Sequence, residues 1–319
     1  MTESVNDDLA DELEKIGTIY QMDGDTYREK TYFTAAERIR NYPDRITSGR
    51  EARKNIKGIG ESVSRDIDEF LATGHTTRLQ QLEASHAERS RVIELFESIF
   101  GIGPVLANRF YNQGYRTLED LWFKANLTPA MRLAIQYKEH LKLRIPRYEM
   151  DIINQVLKDI FSRYDPHLQW LIVGSYRRGE ESSGDVDVLI REEPGMVLSD
   201  IVQQLKNAGI IPGDLALGHR KYLGLIQIPG FNAHRLDLLL IPPQNWATSL
   251  MYFTGSQRFN ILMRSRAQEL DLRLNEYSLS KSDGTPLPTN TEEDIFRYLG
   301  VQYIPPEGRL RNLQSLPLI

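Results

Sequence analysis

Residues 174–190 read GSYRRGEESSGDVDVLI, and in the last six letters Asp185 and Asp187 alternate with Val186, Val188 and Ile190. That order describes a β-strand with both carboxylates on one face. Like charges side by side resist burial unless something positive sits between them. A divalent cation answers the problem, although for an isolated Asp-x-Asp a solvated strand face is the preferred reading. The upstream residues separate the two readings. The run IVGSYRRG ends an apolar stretch with Gly174-Ser175 and opens a helix carrying Arg177 and Arg178. Gly174 lets the backbone turn closely, Ser175 and the neighbouring N–H groups can hold phosphate oxygens, and an arginine can neutralise them. A phosphate cradle and a two-carboxylate site within about a dozen residues point to a nucleoside triphosphate aligned on metal ions. Asp237, alone in the apolar run RLDLLLI, supplies a third carboxylate where a solvated face explains little. Two-metal phosphoryl transfer uses such a triad.

The composition agrees with this chemistry and excludes others. The 319-residue chain has no cysteine, which removes disulfides, thiolate nucleophiles and cysteine-ligated metals. Its acidic N-terminus, MTESVNDDLADELEK, lacks the basic-then-apolar pattern of a signal peptide, so secretion is not expected. No apolar run approaches membrane-spanning length. The net charge of −5 argues against a protein coated in nucleic acid, but Arg and Lys concentrate in YREKTYFTAAERIRNYPDRITSGREARKNIKGIG. Basic patches on one face remain compatible with that balance.

Three textures of periodicity divide the chain. Up to about residue 140 the spacing is helical: Leu9, Leu13, Ile16 and Tyr20, then Phe33, Ala36 and Ile39, recur at three to four residues. The stretches NYP at 41–43 and ATG at 72–74 read as helix stops. Residues 147–163 form one more amphipathic helix. Strands follow in LQWLIVG, DVDVLI, KYLGLIQI and RLDLLLI, with a helix at 198–207 between the second and third. Beyond Pro242-Pro243 come a helical segment, then LRLNEYSLSKSDGTPL as a hairpin turning at Ser282-Asp283-Gly284, and a short helix in EEDIFRYLG. The tail EGRLRNLQSLPLI has no clear period.

Among the helices a single pattern occurs twice. IKGIGESVSRDI at 56–67 and IFGIGPVLANRF at 99–110 each place an apolar residue and Gly-Ile-Gly before a helix. A Gly-x-Gly between helices makes a tight hairpin whose free backbone N–H groups form a sequence-blind anion site. One copy reads as an ordinary connection. Two copies, at Gly58–Gly60 and Gly101–Gly103, read as helix-hairpin-helix motifs gripping DNA phosphates, with affinity that falls with salt.

Taken together, the residues resemble the family X DNA polymerases of the beta type, from about residue 10 to about 308. The carriers are YPDRITSGREA, IDEFLATG, GIGPVLANRFYNQGYRTLEDL, RIPRYEM, GSYRRGEESSGDVDVLI, RLDLLLIP, YFTGSQRFNILMR and NEYSL. The resemblance implies an α+β multidomain fold: an all-helical N-terminal domain with helix-hairpin-helix motifs, then a polymerase domain built on a nucleotidyltransferase-type mixed β-sheet. Its implied divisions are a lyase-type helical domain at 1–82, a duplex-binding subdomain at 83–143, a catalytic subdomain at 144–244 and a nucleotide-selecting subdomain at 245–319. By position it makes Asp185 and Asp187 ligands of two Mg2+ ions, for which Mn2+ can substitute. Asp237 would hold the catalytic ion only. A monovalent cation is implied at each hairpin. The incoming triphosphate would meet Arg144, Gly174, Ser175, Arg178, Ser183 and Gly184. Tyr252, Phe253 and Gly255 would wall the sugar, and Gln257 and Asn260 would touch the base. Arg264 would face the template and Arg235 the primer terminus, with Lys221, after His219 and Arg220, also facing DNA. Periodicity alone makes LMYF a core stripe. None of the six histidines has ligand-like spacing.

The resemblance implies template-directed gap filling in DNA repair by a monomer acting on gapped or nicked duplex and dNTP. The host is cellular, with a nuclear or cytoplasmic site, or viral. An N-terminal phosphopeptide-type domain and a C-terminal exonuclease-like extension are not expected. Two alternatives compete. A template-independent nucleotidyltransferase of this family carries a long loop before the third aspartate, whereas here the connection is only IPGFNAHR. A catalytically dead DNA-end scaffold is opposed by three intact carboxylates and an intact cradle. One departure stands out. Beta-type members remove a 5′-deoxyribose phosphate through a Schiff-base lysine on the helix after the first hairpin, and a companion basic position precedes it. In GIGESVSRDIDEFLATG these positions are Asp66 and Ser62. Aspartate cannot form an imine. Arg28 and Tyr32 still match phosphate-contacting positions, and Lys54 and Lys57 lie nearby, so the expectation is a DNA-gripping domain with the lyase activity lost.

Overall fold

The computed structural model describes residues 5–319. The chain divides into two compact units: one comprises residues up to Ser98 with Gly103–Leu118, the other Ile99–Ile102 with Glu119–Ile319. No helix among the described residues is long and apolar enough to cross a membrane.

The first unit is helical. Helix Val5–Met22 buries Leu9, Leu13, Ile16 and Tyr20 along one face, the spacing that the sequence predicts. They pack with Tyr32, Ala35, Ala36 and Ile39 of helix Thr26–Arg40. Tyr32 takes the deep position, and Phe33 is only half-buried. Helix boundaries follow local chemistry. Asp25, Ser48 and Thr76 each accept a backbone N–H of the first turn they precede, and Gly74 ends helix Glu61–Thr73 at φ +82°. The buried Glu12 carboxylate accepts both the N–H of Thr76 at 2.8 Å and its hydroxyl at 3.0 Å, tying the first helix to the cap of helix Thr77–Glu97.

Among the described residues the second unit carries nine strands: β1 (Ile145–Pro146), β2 (Trp170–Ile172), β3 (Ser182–Ser183), β4 (Val186–Arg191), β5 (Asp214–Leu217), β6 (Lys221–Ile226), β7 (His234–Ile241), β8 (Leu272–Leu274) and β9 (Leu279–Lys281). Five form a mixed sheet ordered β2-β4-β7-β6-β5, in which only β4 and β7 run parallel. Its two faces differ. Val186, Val188 and Ile190 of β4 and Leu236, Leu238 and Leu240 of β7 enter a large core with helices Arg147–Tyr164 and Leu198–Asn207. On the other face Leu189 and Ile241 are buried against Trp246, Leu250 and Phe253 of helix Trp246–Thr254. The apolar layer on that second face stops short of the strand beginnings, where Asp187, Arg235 and Asp237 stand.

Helix Gln257–Glu269 buries Phe259, Met263 and Ala267, four residues apart, beside Ile295, Phe296 and Leu299. Here the sequence reading needs a correction. The β8–β9 ladder turns at Asn275–Ser278, where the Asn275 side chain accepts the N–H groups of Tyr277 and Ser278. Ser282–Gly284 forms a second, tighter turn beyond β9, closed by Lys281 N–H to Thr285 at 2.9 Å. The tail is built into this region: Val301 bridges to Leu318, and Leu313 and Leu316 pack on the core.

Candidate active site

The carboxylate triad is a product of strand register. Asp187 pairs directly with Asp237 across the parallel β4–β7 ladder, so the two side chains stand next to each other on the face away from the main core. Asp185 lies immediately before β4 and two residues from Asp187, on the same side. Burial, then the charges of Asp185 and Asp237, push the Asp187 carboxyl up to about 7, against the opposing pull of Arg235 and Lys221. Burial and the Asp237 charge also raise Asp185. Negative charge is therefore concentrated and under-compensated at the strand beginnings.

No group of three acidic or histidine side chains is gathered at metal-ligand spacing among the described residues. The Asp237 Oδ1 accepts instead from Arg235 at 2.8 Å, so a guanidinium supplies positive charge at that corner. The chemistry of the donors still fits a metal. Three oxygen-only, mutually repelling carboxylates suit a hard divalent cation, and such an ion would offset both the burial and the neighbouring charges that push the Asp187 carboxyl up.

Beside the triad lies a cavity of about 550 Å³. Of the residues implied to meet the nucleotide, Arg144, Gly174, Ser175, Arg178, Gly184, Tyr252, Phe253, Gly255, Gln257 and Asn260 all line it, with Asp185, Asp187 and Arg264. Ser183 sits beneath, buried, with its hydroxyl 2.9 Å from that of Ser175. Arg144 is steadied by the hydroxyl and carbonyl of Ser182, both at 2.8 Å. Gly174 has φ +63°, a conformation that side chains resist. Gly255, at φ +67°, also receives Arg178 so closely that a Cβ would lie 3.2 Å from its guanidinium. The LMYF stripe splits: Met251 enters the core, while Tyr252 and Phe253 stay half-buried and meet edge to face at 5.2 Å. The Asn260 amide donates to the Tyr252 carbonyl at 2.8 Å, and its buried Oδ1 has no partner.

Arg177 does not face the cavity. It bonds to Glu292 and Thr254, so of the two neighbouring arginines only Arg178 lines the cavity. Of the residues implied to face DNA, Lys221 is exposed at the start of β6, and Arg235 is held by Asp237 and lies over the Phe100 ring at 5.7 Å. Two cavity features escaped the sequence reading: Arg311, from the tail without a clear period, lines the cavity, and Glu180 binds it.

The two glycine hairpins share one backbone. Gly58 and Gly101 have φ +91° and +87°. Gly60 and Gly103 cap the next helix at nearly identical angles, φ −83° and −89°, with no side-chain cap. A Cβ on Gly60 or Gly103 would meet nothing within 4 Å, so internal packing does not require glycine there. The first N–H groups of both helices are left without a side-chain cap.

On helix Glu61–Thr73 the position implied for a lyase lysine is closed by a polar network. Asp66 is 4% exposed, accepts the Tyr32 hydroxyl at 2.6 Å and takes Arg78 Nε at 2.8 Å. Arg78 also donates to Ser62 at 2.7 Å. Burial, then Asp66, raise the Tyr32 hydroxyl well above its ordinary range. Arg28 is exposed and paired with Asp25 at 3.4 Å; Lys54 and Lys57 are exposed.

Comparison with known proteins accounts for most of the chain. Family models match in order: a helix-hairpin-helix domain at 4–76, the fingers domain of DNA polymerase lambda at 94–142, the DNA polymerase beta palm at 144–243 and the DNA polymerase beta thumb at 249–310. Rat DNA polymerase lambda is 32% identical over 94% of this chain and 56% of its own length. DNA polymerase lambda of Arabidopsis thaliana is 30% identical over 96% and 62%. Human DNA-directed DNA/RNA polymerase mu is 27% identical over 95% and 69%. The chain thus spans a little over half of the two lambda relatives. Since consecutive regions of one family follow one another from residue 4 to residue 310, the chain belongs to the family X DNA polymerases.

Proposed function

We propose that this protein is a template-directed DNA polymerase that fills short gaps during repair, joining a nucleotide from dNTP to a primer 3′-hydroxyl. The observation that carries the reading is the Asp187–Asp237 register beside a cavity lined by Arg144, Arg178, Arg264 and Arg311. Asp185, Asp187 and Asp237 would hold two Mg2+ ions, replaceable by Mn2+, as befits a family that depends on divalent metals. When bound, such ions polarise phosphoryl oxygens and make the attacking hydroxyl more acidic. The protein's own share is orientation and neutralisation. Ser175, Arg178, Gly184 and Arg144 would fix the triphosphate, and Ser183 would steady Ser175. Tyr252, Phe253 and Gly255 would shape the sugar wall. The unpartnered Asn260 Oδ1 is free to accept from the nucleotide.

DNA would be held as gapped or nicked duplex by a monomer, through the uncapped hairpin N–H groups and a monovalent cation at each. Domain limits of 1–82, 83–143, 144–244 and 245–319 belong to the same proposal, as does work in the nucleus or cytoplasm. The short connection at 227–233, closed by a Phe231 N–H to Ile228 bond, favours template direction over untemplated addition.

Primer extension on gapped DNA tests the reading. With Mg2+ the complementary nucleotide should be added, and chelation should stop it. Addition of all four nucleotides without regard to the template would favour an untemplated transferase; no addition under any metal would leave a DNA-binding scaffold.

The lyase activity is proposed to be absent, because the Asp66 network occupies the place of the nucleophile. Borohydride should therefore trap no covalent adduct on a 5′-deoxyribose-phosphate substrate. An efficient adduct that disappears in Lys54→Ala or Lys57→Ala would instead show that the nucleophile had moved.

A further inference from the structure

Glu180 and Arg311 meet across 131 positions of sequence. The Glu180 Oε2 accepts from Arg311 at 2.8 Å, and its Oε1 accepts both Arg311 Nε at 3.3 Å and Arg178 Nε at 3.1 Å. One carboxylate therefore lies between two guanidinium forks, and both arginines line the cavity beside the triad. A phosphate presents the same kind of oxygens to such forks. Burial alone would raise the Glu180 carboxyl, but Arg178 and Arg311 hold it below the usual range, so it stands there as an anion.

The two arginines are held differently. Arg178 has a 10% exposed side chain and a second anchor in the Thr254 carbonyl at 2.6 Å. Arg311 is 63% exposed, and its only partner among the described contacts is Glu180. Its backbone, by contrast, is fixed on both sides. Ser256 donates to Leu310 at 2.9 Å, and Arg258 donates to Leu313 at 3.0 Å and to Gln314 at 3.3 Å. The tail is thus tethered to the segment that carries Gln257, Asn260 and Arg264, and the Glu180-bound guanidinium of Arg311 lines the cavity.

We propose that Arg311 is a further triphosphate-binding residue, held at the cavity mouth by Glu180 until phosphate oxygens replace that carboxylate. This rests on the reading of the cavity as a nucleotide site. The exchange is between two anions on one guanidinium, so no new buried charge is created. Because Arg311 is solvent-screened, the expected contribution is modest, about five- to tenfold in affinity.

The test separates this proposal from the reading beneath it. Binding of Mg2+–dNTP is titrated on gapped DNA whose primer ends in a dideoxynucleotide, so that no chemistry follows. Mg2+–tripolyphosphate serves as a competitor that lacks base and sugar. Arg311→Ala should weaken both ligands about five- to tenfold while the thermal midpoint stays near wild type. Arg311→Lys should recover some of the loss, and Glu180→Gln should bind both ligands at least as tightly as wild type. Wild-type affinity in Arg311→Ala overturns the proposal, as does a loss confined to dNTP, which would place the effect at the base or sugar. A loss of affinity in Glu180→Gln as large as in Arg311→Ala also overturns it, since Glu180 would then belong to the bound state. Extension of an unblocked primer by the wild type is scored separately. If extension fails while Arg311→Ala still loses tripolyphosphate, the polymerase reading falls and the anion contact stands.

Discussion

Asp237→Ala is expected to reduce single-turnover nucleotide incorporation by at least about a thousandfold, while binding of gapped DNA stays within a few-fold of wild type. Asp237 is the only triad member on β7, and its partner across the ladder is Asp187. Removing it takes away one of the oxygen donors and one of the charges that keep Asp187 near 7. It also strips Arg235 of its carboxylate, although Arg235 Nε already lacks a partner. The unpaired guanidinium then faces the place where a cation would sit, so the loss of donor and the gain of repulsion act in the same direction. The hairpins that would grip DNA phosphates lie at residues 58–60 and 101–103, far from Asp237 in sequence. Incorporation and fluorescence anisotropy measured on the same gapped substrate check both halves. Near-wild-type turnover with Mg2+ would remove Asp237 from the chemistry.

The largest stability effect is expected at Glu292. Its side chain is 5% exposed and bridges Arg177, at 2.7 and 3.1 Å, and Arg309, at 2.6 Å. Arg309 is fully buried among the rings of Phe259, Phe296 and Tyr303, and one of its nitrogens is unpaired already. Glu292→Ala leaves that charge without a counter-charge, a change that costs about 3–5 kcal/mol for buried pairs. Its pH dependence has a defined sign. Burial alone would raise the Glu292 carboxyl, but Arg177 and Arg309 outweigh it and hold the pKa below the ordinary value. A depressed carboxylate stabilises the fold above the unfolded-state pKa and loses that contribution as pH falls through the folded one. The gap between wild type and Glu292→Gln in denaturant unfolding should therefore be full at pH 7 and shrink as pH falls below about 4. A gap independent of pH, or none at pH 7, would show that the charges do not carry the effect.

Much of this molecule was legible in its sequence because the informative residues repeat at the period of their own element. The Asp185–Asp187 spacing defines a strand face, and the lone Asp237 in RLDLLLI finds its place opposite Asp187 through the pleat alone. Helices at 147–164 and 198–207 follow from apolar residues three and four apart. The two-residue strands β1 and β3 are too short to have a period. Strand β5 is an edge with a register shift between Asp214 and Ala216 and exposed Ala216 and Leu217, so its alternation is broken. Arg309 and Arg311 belong to a tail whose letters look like a solvated end. Yet Arg309 is fully buried on Glu292, which Arg177 also holds, and Arg311 lines the cavity on Glu180. Arg177 and Glu180 both lie more than a hundred residues from the tail. Such long-range pairing leaves no local signature.

The β4–β7 pairing also governs how this protein can change in length. Inserting or deleting one residue in β7 before Asp237 would rotate every later side chain to the opposite face. Asp237 would then enter the layer now filled by Leu236 and Leu238, and those leucines would take its place beside Asp187. Core and carboxylate face would fail together, from one event and with no change of composition. In the connection at 227–233 an inserted residue disturbs neither ladder, and closing a longer loop costs free energy that grows only slowly with length. Variation in length is thus channelled into that connection, next to a carboxylate face whose own spacing is fixed by the ladder.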